Sequence, residues 1–225
     1  MEARAKEESG RKKYTIKGYA TVPNHIYPFN YHMDGNVVKQ SFKEYFTDKA
    51  VENIIRKTKK SNIFADVSHQ IGTMANIEHM LNDAQTKKGI DLSKEREFIL
   101  TRMKSLDLPL FKVEDMKLDE KGIFVEIQAN PYYREIDEEH KQYFDAVWNS
   151  LESGFLSAMS INFKPTAFTK VSPEVTQIDD ADVFGISLVS NPANDMATIT
   201  EVAMRSINEL GGSQWQTETT SLLIL

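Results

Sequence analysis

Apolar and polar residues alternate from Tyr14 to Val22 (YTIKGYATV), and the β-branched and aromatic content of this run predicts a first strand. Gly18 within it predicts a bulge or the close approach of another backbone. The rhythm then breaks. Residues 23–36 (PNHIYPFNYHMDGN) hold prolines, asparagines and an Asp-Gly pair, and predict a loop closing in a turn. Over 41–59, Phe46, Val51, Ile54 and Ile55 fall at helical spacing among Lys and Arg, which predicts an amphipathic helix with a basic outer face. NIFADVSH, within 61–72, predicts a short strand running into a turn.

Between 74 and 105 the pattern changes character. Met74, Ile77, Met80 and Leu81 fit one helical face and Phe98, Ile99 and Met103 another, with Lys87-Lys88-Gly89 as the break, so a helical insertion is expected. LPLFKVEDMKL and GIFVEIQA flank the turn residues Asp119–Gly122 and predict a β-hairpin. Ile136, His140, Tyr143, Phe144, Val147 and Leu151 share one face of a helix expected over 134–152. Two apolar runs follow, LSAMSINF and VFGISLV. The second is apolar on both faces, predicting a central strand that NPAN at 191–194 ends. Strands interrupted by helices, without a regular βαβ alternation, predict an α+β fold: a mostly antiparallel sheet or barrel with peripheral helices. The expected organisation is a mobile arm over 1–13, one domain over 14–202 containing the 74–105 insertion, and a flexible tail over 203–225.

Composition narrows the chemistry. The 225 residues include no cysteine, which excludes disulfides, thiolate metal sites and a cysteine nucleophile. A net charge of −6 with no long basic run disfavours a nucleic-acid groove. No apolar segment follows the N-terminal charges as in a signal peptide, and no stretch reaches the ~18–20 apolar residues of a membrane span. A soluble, intracellular-type protein is expected, with no cofactor and no metal. His25 and His32 are loop residues without carboxylate neighbours at ligand spacing.

The candidate chemistry is hydrolytic. Ser160 lies inside the strand run GFLSAMSINF, and His69 precedes an Ile-Gly in ADVSHQIG. A serine hydroxyl is a weak nucleophile until a base takes its proton, so a Ser–His pair is the smallest plausible hydrolytic unit. Ser157 shares the strand but points to its other face. Asp66 can pair with His69 locally or close a turn. His79 sits on the insertion helix and His140 on the apolar face of the 134–152 helix, while the acidic EIDEEHK at 135–141 reads as a solvated helix start.

In order, these elements resemble the prohead (procapsid maturation) proteases of tailed bacteriophages, the family related to the herpesvirus assemblin protease. The resemblance covers residues 14–200. It is carried by KGYATV, by Asp34-Gly35 followed by an apolar pair and a helix, by SHQIG and by the hairpin EDMKLDEKGIFVEIQA. The long helix leading into Gly154 follows, and then FLSAMSINF and FGISLVSNPANDMA, the most specific pair. It implies a herpesvirus-protease-like barrel with Ser160 as nucleophile and His69 as general base. Backbone N–H groups around Asn191, Ala193 and Asn194 become candidate oxyanion donors. The implied activity is a serine endopeptidase working inside the procapsid in the host cytoplasm, a homo-oligomer whose substrates are the major capsid protein, the scaffold protein and its own tails. The alternative is a weakly active or inactive capsid assembly protein that keeps the protease fold. One position departs from the pattern. Where the phage relatives place an acid three residues before the Leu-Val of the last strand, this chain has Gly185. Ser187, on the same strand face, and Asp182 are the candidates for a third catalytic member.

Overall fold

The alternation at the start of the chain forms β1 (Lys12–Thr21), followed by the short β2 (Tyr27–Phe29), β3 (His32–Met33) and β4 (Asn36–Val37). Next come β5 (Phe42–Phe46), helix α1 (Asp48–Thr58) and β6 (Phe64–Val67). The hairpin β7 (Phe111–Leu118) and β8 (Ile123–Ala129) leads through a short 3-10 helix (Pro131–Glu135) into α2 (Glu138–Glu152). Two long strands, β9 (Ala158–Lys170) and β10 (Val175–Val189), precede β11 (Ile199–Ser206). This computed structural model describes residues 12–29, 32–33, 36–37, 42–58, 63–69, 81, 86, 89, 91–97 and 110–206.

The fold is mixed α+β, mostly strands in a curled half-barrel sheet with a few helices. The sheet runs β11-β1-β8-β7-β6-β10-β5-β2, with β9 also on β10, and β3 and β4 pair separately. β10 is its centre. β9 lines one edge of it antiparallel, so the other edge is shared by β5 and β6, both parallel. The side chains of β10 alternate between a core face, where Ile186 and Leu188 are fully buried, and the face carrying Ser187. α1 covers the sheet with Ala50, Val51, Ile54 and Ile55. α2 packs Phe144 and Trp148 edge-on against Tyr14 of β1. Fully burying one such large apolar side chain contributes about 1.5–3 kcal/mol, so these layers, not the exposed ion pairs, hold the sheet in its curl.

Gly18 meets both expectations placed on it. The β1–β11 register shifts between Lys17 and Gly18, and a Cβ at Gly18 would lie 2.4 Å from the Thr198 carbonyl oxygen. The hairpin β7–β8 closes where expected, with Asp119 Oδ1 accepting from the backbone N–H groups of Lys121 and Gly122.

Other elements differ from expectation. The helix expected over 41–59 starts at Asp48, because residues 42–46 pair with β2 and β10, and Phe46 is a buried strand residue. Thr47 marks the boundary: its Oγ1 caps the helix by accepting from the Ala50 N–H. The loop expected over 23–36 contains β2, β3 and the first residue of β4. The helix expected from 134 begins at Glu138, capped by Asp137, and leaves Ile136 exposed. The tail expected from 203 is still strand to Ser206, because β11 completes the edge of β1. Of the insertion over 74–105, positions 81, 86, 89 and 91–97 are described, and of these 81, 86 and 93–97 are helical, as expected. The arm over 1–11, the tail from 207, His79 and the rest of the insertion lie outside the described residues.

One core carboxylate makes stability depend on pH. Glu44 of β5 is buried, and Tyr27 of β2 donates to its Oε1 at 3.0 Å. Burial pushes the Glu44 carboxyl above its ordinary 4.5, outweighing the lowering effect of the Tyr27 hydrogen bond. A raised folded value means that the folded state holds the proton more tightly than the unfolded chain. Stability is therefore lost as pH rises from about 4.5 through the folded value. Glu44→Gln keeps an acceptor for Tyr27 and removes the charge. In urea titrations across that range, the stability of Glu44→Gln relative to the parent should increase with pH; a pH-independent difference would contradict the assignment.

Candidate active site

Three neighbouring strands set a row of polar residues into one face of the sheet. Ser187 of β10 is the register partner of Ser160 on β9 and of Asp66 on β6. Directly opposed residues project to the same side, so all three share a face. One step along, Asn162 on β9 opposes Gly185 on β10. It lies two residues from Ser160 and thus on the same face.

These side chains form a continuous hydrogen-bonded chain. His69 Nδ1 and Asn162 Oδ1 are 2.6 Å apart. Asn162 Nδ2 donates to Ser187 Oγ at 2.8 Å, and the Ser187 hydroxyl in turn donates to Asp66 Oδ1. Ser187 is fully buried and Asp66 nearly so, whereas Asn162, His69 and Ser160 are half-buried. The chain thus runs from the sheet interior to the accessible end, where the imidazole and the Ser160 hydroxyl lie. No hydrogen bond joins Ser160 to His69, and Ser160 has no side-chain partner among the described residues. Contacts between a nucleophile and its base are often loose before substrate binds.

The turn carrying His69 is strained. Ser68 and His69 have φ of 54° and 55°, the left-handed region that side chains other than glycine rarely adopt. The Ser68 N–H, donating to the Leu188 carbonyl of β10, helps hold the turn, as does the imidazole bond to Asn162. Such outliers cost of order 1–3 kcal/mol each and persist where surrounding contacts over-determine them.

Gly185 explains how Asn162 comes to face the imidazole. It presents no side chain opposite Asn162, and the β9–β10 register shifts between Val183 and Gly185, with Phe184 turned outward. The orienting contact to His69 therefore comes from the neighbouring strand. Asn162 was not among the residues singled out in the sequence. Its signal is the period-2 relation to Ser160 within Ser-Ile-Asn.

The other sequence candidates fall as follows. Ser187 belongs to the chain but touches Asn162 and Asp66, not His69. Asp182 is not part of it: its carboxylate is bound by Lys57 Nζ at 2.8 Å, at the end of α1. Among the described residues, Asp66 is linked to His69 through Ser187 and Asn162. In the 190–198 loop, Asn194 is buried and its side chain donates to Thr21 Oγ1 and the Val22 carbonyl, tying the loop to the end of β1. The Met159 N–H donates to the Ala197 carbonyl, which lays this loop beside the start of the nucleophile strand. Asn191 and Ala193 are exposed on the same loop. His25 pairs with Asp195, and His140 with the capping Asp137 and the Tyr133 ring. Among the described residues no cluster of three His, Asp or Glu side chains is placed to hold a metal ion.

Compared with known proteins, the chain matches no protein-family model, and no curated protein matches it significantly in sequence.

Ser68 offers a test of strain that leaves the chemistry in place, since its side chain is exposed. Ser68→Gly should stabilise the fold by up to about 1 kcal/mol, the left-handed penalty reduced by the entropy that glycine brings to the unfolded chain. Equal or lower stability in urea denaturation would show that the turn is not strained.

Proposed function

We propose that this protein is a serine endopeptidase in which Ser160 is the nucleophile and His69 the general base. The observation that carries this reading is the bond between His69 Nδ1 and Asn162 Oδ1, made two residues from Ser160 on the same strand face. A base whose Nδ1 is held by a fixed acceptor leaves Nε2 for the hydroxyl proton. During acylation His69 takes that proton and returns it to the leaving amine; water then attacks the acyl-enzyme by the same route. Backbone N–H groups of the loop bearing Asn191, Ala193 and Asn194, which lies beside β9, are the proposed oxyanion donors. Such donors are worth roughly 3–4 kcal/mol of the barrier.

The resemblance to prohead proteases supplies the biological reading: a herpesvirus-protease-like fold acting within the procapsid of a phage in the host cytoplasm. The capsid and scaffold proteins and the enzyme's own ends would be its substrates, and it would act as a homo-oligomer. A mostly antiparallel curled sheet with the serine within a strand, near its start, and not at a strand-to-helix elbow, supports that reading. The second reading, a capsid assembly protein of this fold with little or no activity, is favoured by Gly185 and by the lack of a Ser160–His69 hydrogen bond.

Intact-mass spectrometry of the purified chain separates the two. The peptidase reading expects the parent protein to trim its own ends over hours at high concentration, and Ser160→Ala to stay full length. Equal trimming of both chains, or of neither, would overturn it.

A further inference from the structure

From the polarity of the hydrogen-bonded chain, we infer that Asp66 sets the tautomer of His69 through Ser187 and Asn162, making these three residues the positioning apparatus of the base. This rests on the reading of His69 as the base. As a carboxylate, Asp66 can only accept, so the Ser187 proton points to it. With its proton committed, Ser187 Oγ can only accept from the other side, so the amide nitrogen of Asn162, not its oxygen, must face it. The amide is thereby turned so that Oδ1 meets the imidazole at 2.6 Å. An amide oxygen only accepts, so His69 Nδ1 must carry a proton, and in the neutral ring Nε2 is then bare. Each step removes one choice, and the last is the one on which general-base catalysis by Nε2 depends.

Asp66 and His69 lie on the same segment, but the left-handed turn at Ser68–His69 carries the imidazole to β9, and the contact returns to Asp66 across two strands. Gly185 keeps the position opposite Asn162 free of a competing side chain. A neutral amide at this place differs from the carboxylate of a Ser-His-Asp triad in one respect. It can rotate and present either end, so it orients the ring only while Ser187 and Asp66 hold it. The burial of Ser187 and Asp66 protects that hold from water, which would otherwise satisfy either amide orientation.

The test uses the full chain labelled with 15N-histidine, its nitrogen shifts followed to the alkaline limit of the titration, with the His69 signals assigned by their loss in His69→Gln. The parent should show the Nδ1–H tautomer. Ser187→Ala frees the amide to turn over, and His69 should become a mixture of tautomers while self-cleavage slows about 10-fold or more. Asn162→Ala, at a half-buried site, should release the ring as well and slow cleavage by about 10²–10⁴-fold, the range seen when an orienting group is lost. The double variant Ser187→Ala/Asn162→Asp supplies an acceptor that needs no orienting, and should restore both the tautomer and cleavage. A merely structural Ser187 would not be rescued from a neighbouring strand. An Nε2–H tautomer in the parent, or a tautomer unchanged in both Ser187→Ala and Asn162→Ala, would overturn the inference. The tautomer is read without any turnover. Its predicted shifts in a protein that never cleaves would sustain the relay and defeat the peptidase reading; cleavage with an unmoved tautomer would do the reverse.

Discussion

A hydroxyl buried at the centre of a sheet has to find both its acceptor and its donor inside the protein, and Ser187 is that hydroxyl. Leaving a buried polar group unmet costs about 1–3 kcal/mol, a large part of the stability of a domain this size. The requirement is met only if β6 and β9 flank β10 in the observed registers, with Asp66 on one side and Asn162 on the other. A one-residue slip of either strand would turn its polar partner to the core face and strand Ser187. Packing alone would tolerate several registers of so apolar a strand. The polar row therefore specifies the register, and the same register brings Ser160 and His69 to one place.

Function and stability are in tension at the mouth of this row. The interior end, Ser187 and Asp66, is buried and fully engaged, as a static support should be. The outer end is strained at Ser68 and His69 and open at Ser160. Backbone strain next to a reactive group persists when neighbouring contacts insist on it; here these are the Ser68 N–H on β10 and the imidazole on β9. Elsewhere the sheet is conventional: apolar side chains in alternation, a glycine at the close approach of β1 to β11, and helices α1 and α2 laid on the sheet and on β1.

Much of this architecture was legible along the chain because it is local. Alternation marked β1 and the β7–β8 hairpin, and the run apolar on both faces marked β10 as central. The boundary at Thr47 was missed because Phe46 fits helical spacing by coincidence; the capping threonine was the better signal. β11 was missed because ITEVAMRS carries too few apolar residues to announce a strand, and its pairing with β1 supplies the rest. At the site, Ser160 and His69 were singled out by resemblance, and Ser187 by its face. Asn162 required knowing that β9 and β10 pair with a bulge at Phe184. The bond from Ser187 to Asp66 spans residues far apart in sequence in a parallel register, which no local pattern encodes. Asp182 looked eligible only because Lys57, its partner, lies on a distant helix.

The central claim is that Ser160 is a nucleophile activated by His69, and covalent capture tests it most directly. Concentrated, folded protein would be treated with a fluorophosphonate, digested and examined by mass spectrometry. The account predicts a single phosphonyl adduct on the peptide containing Ser160, absent from Ser160→Ala and strongly reduced in His69→Ala. A protein that remains unlabelled, or an adduct on any other residue, would contradict it.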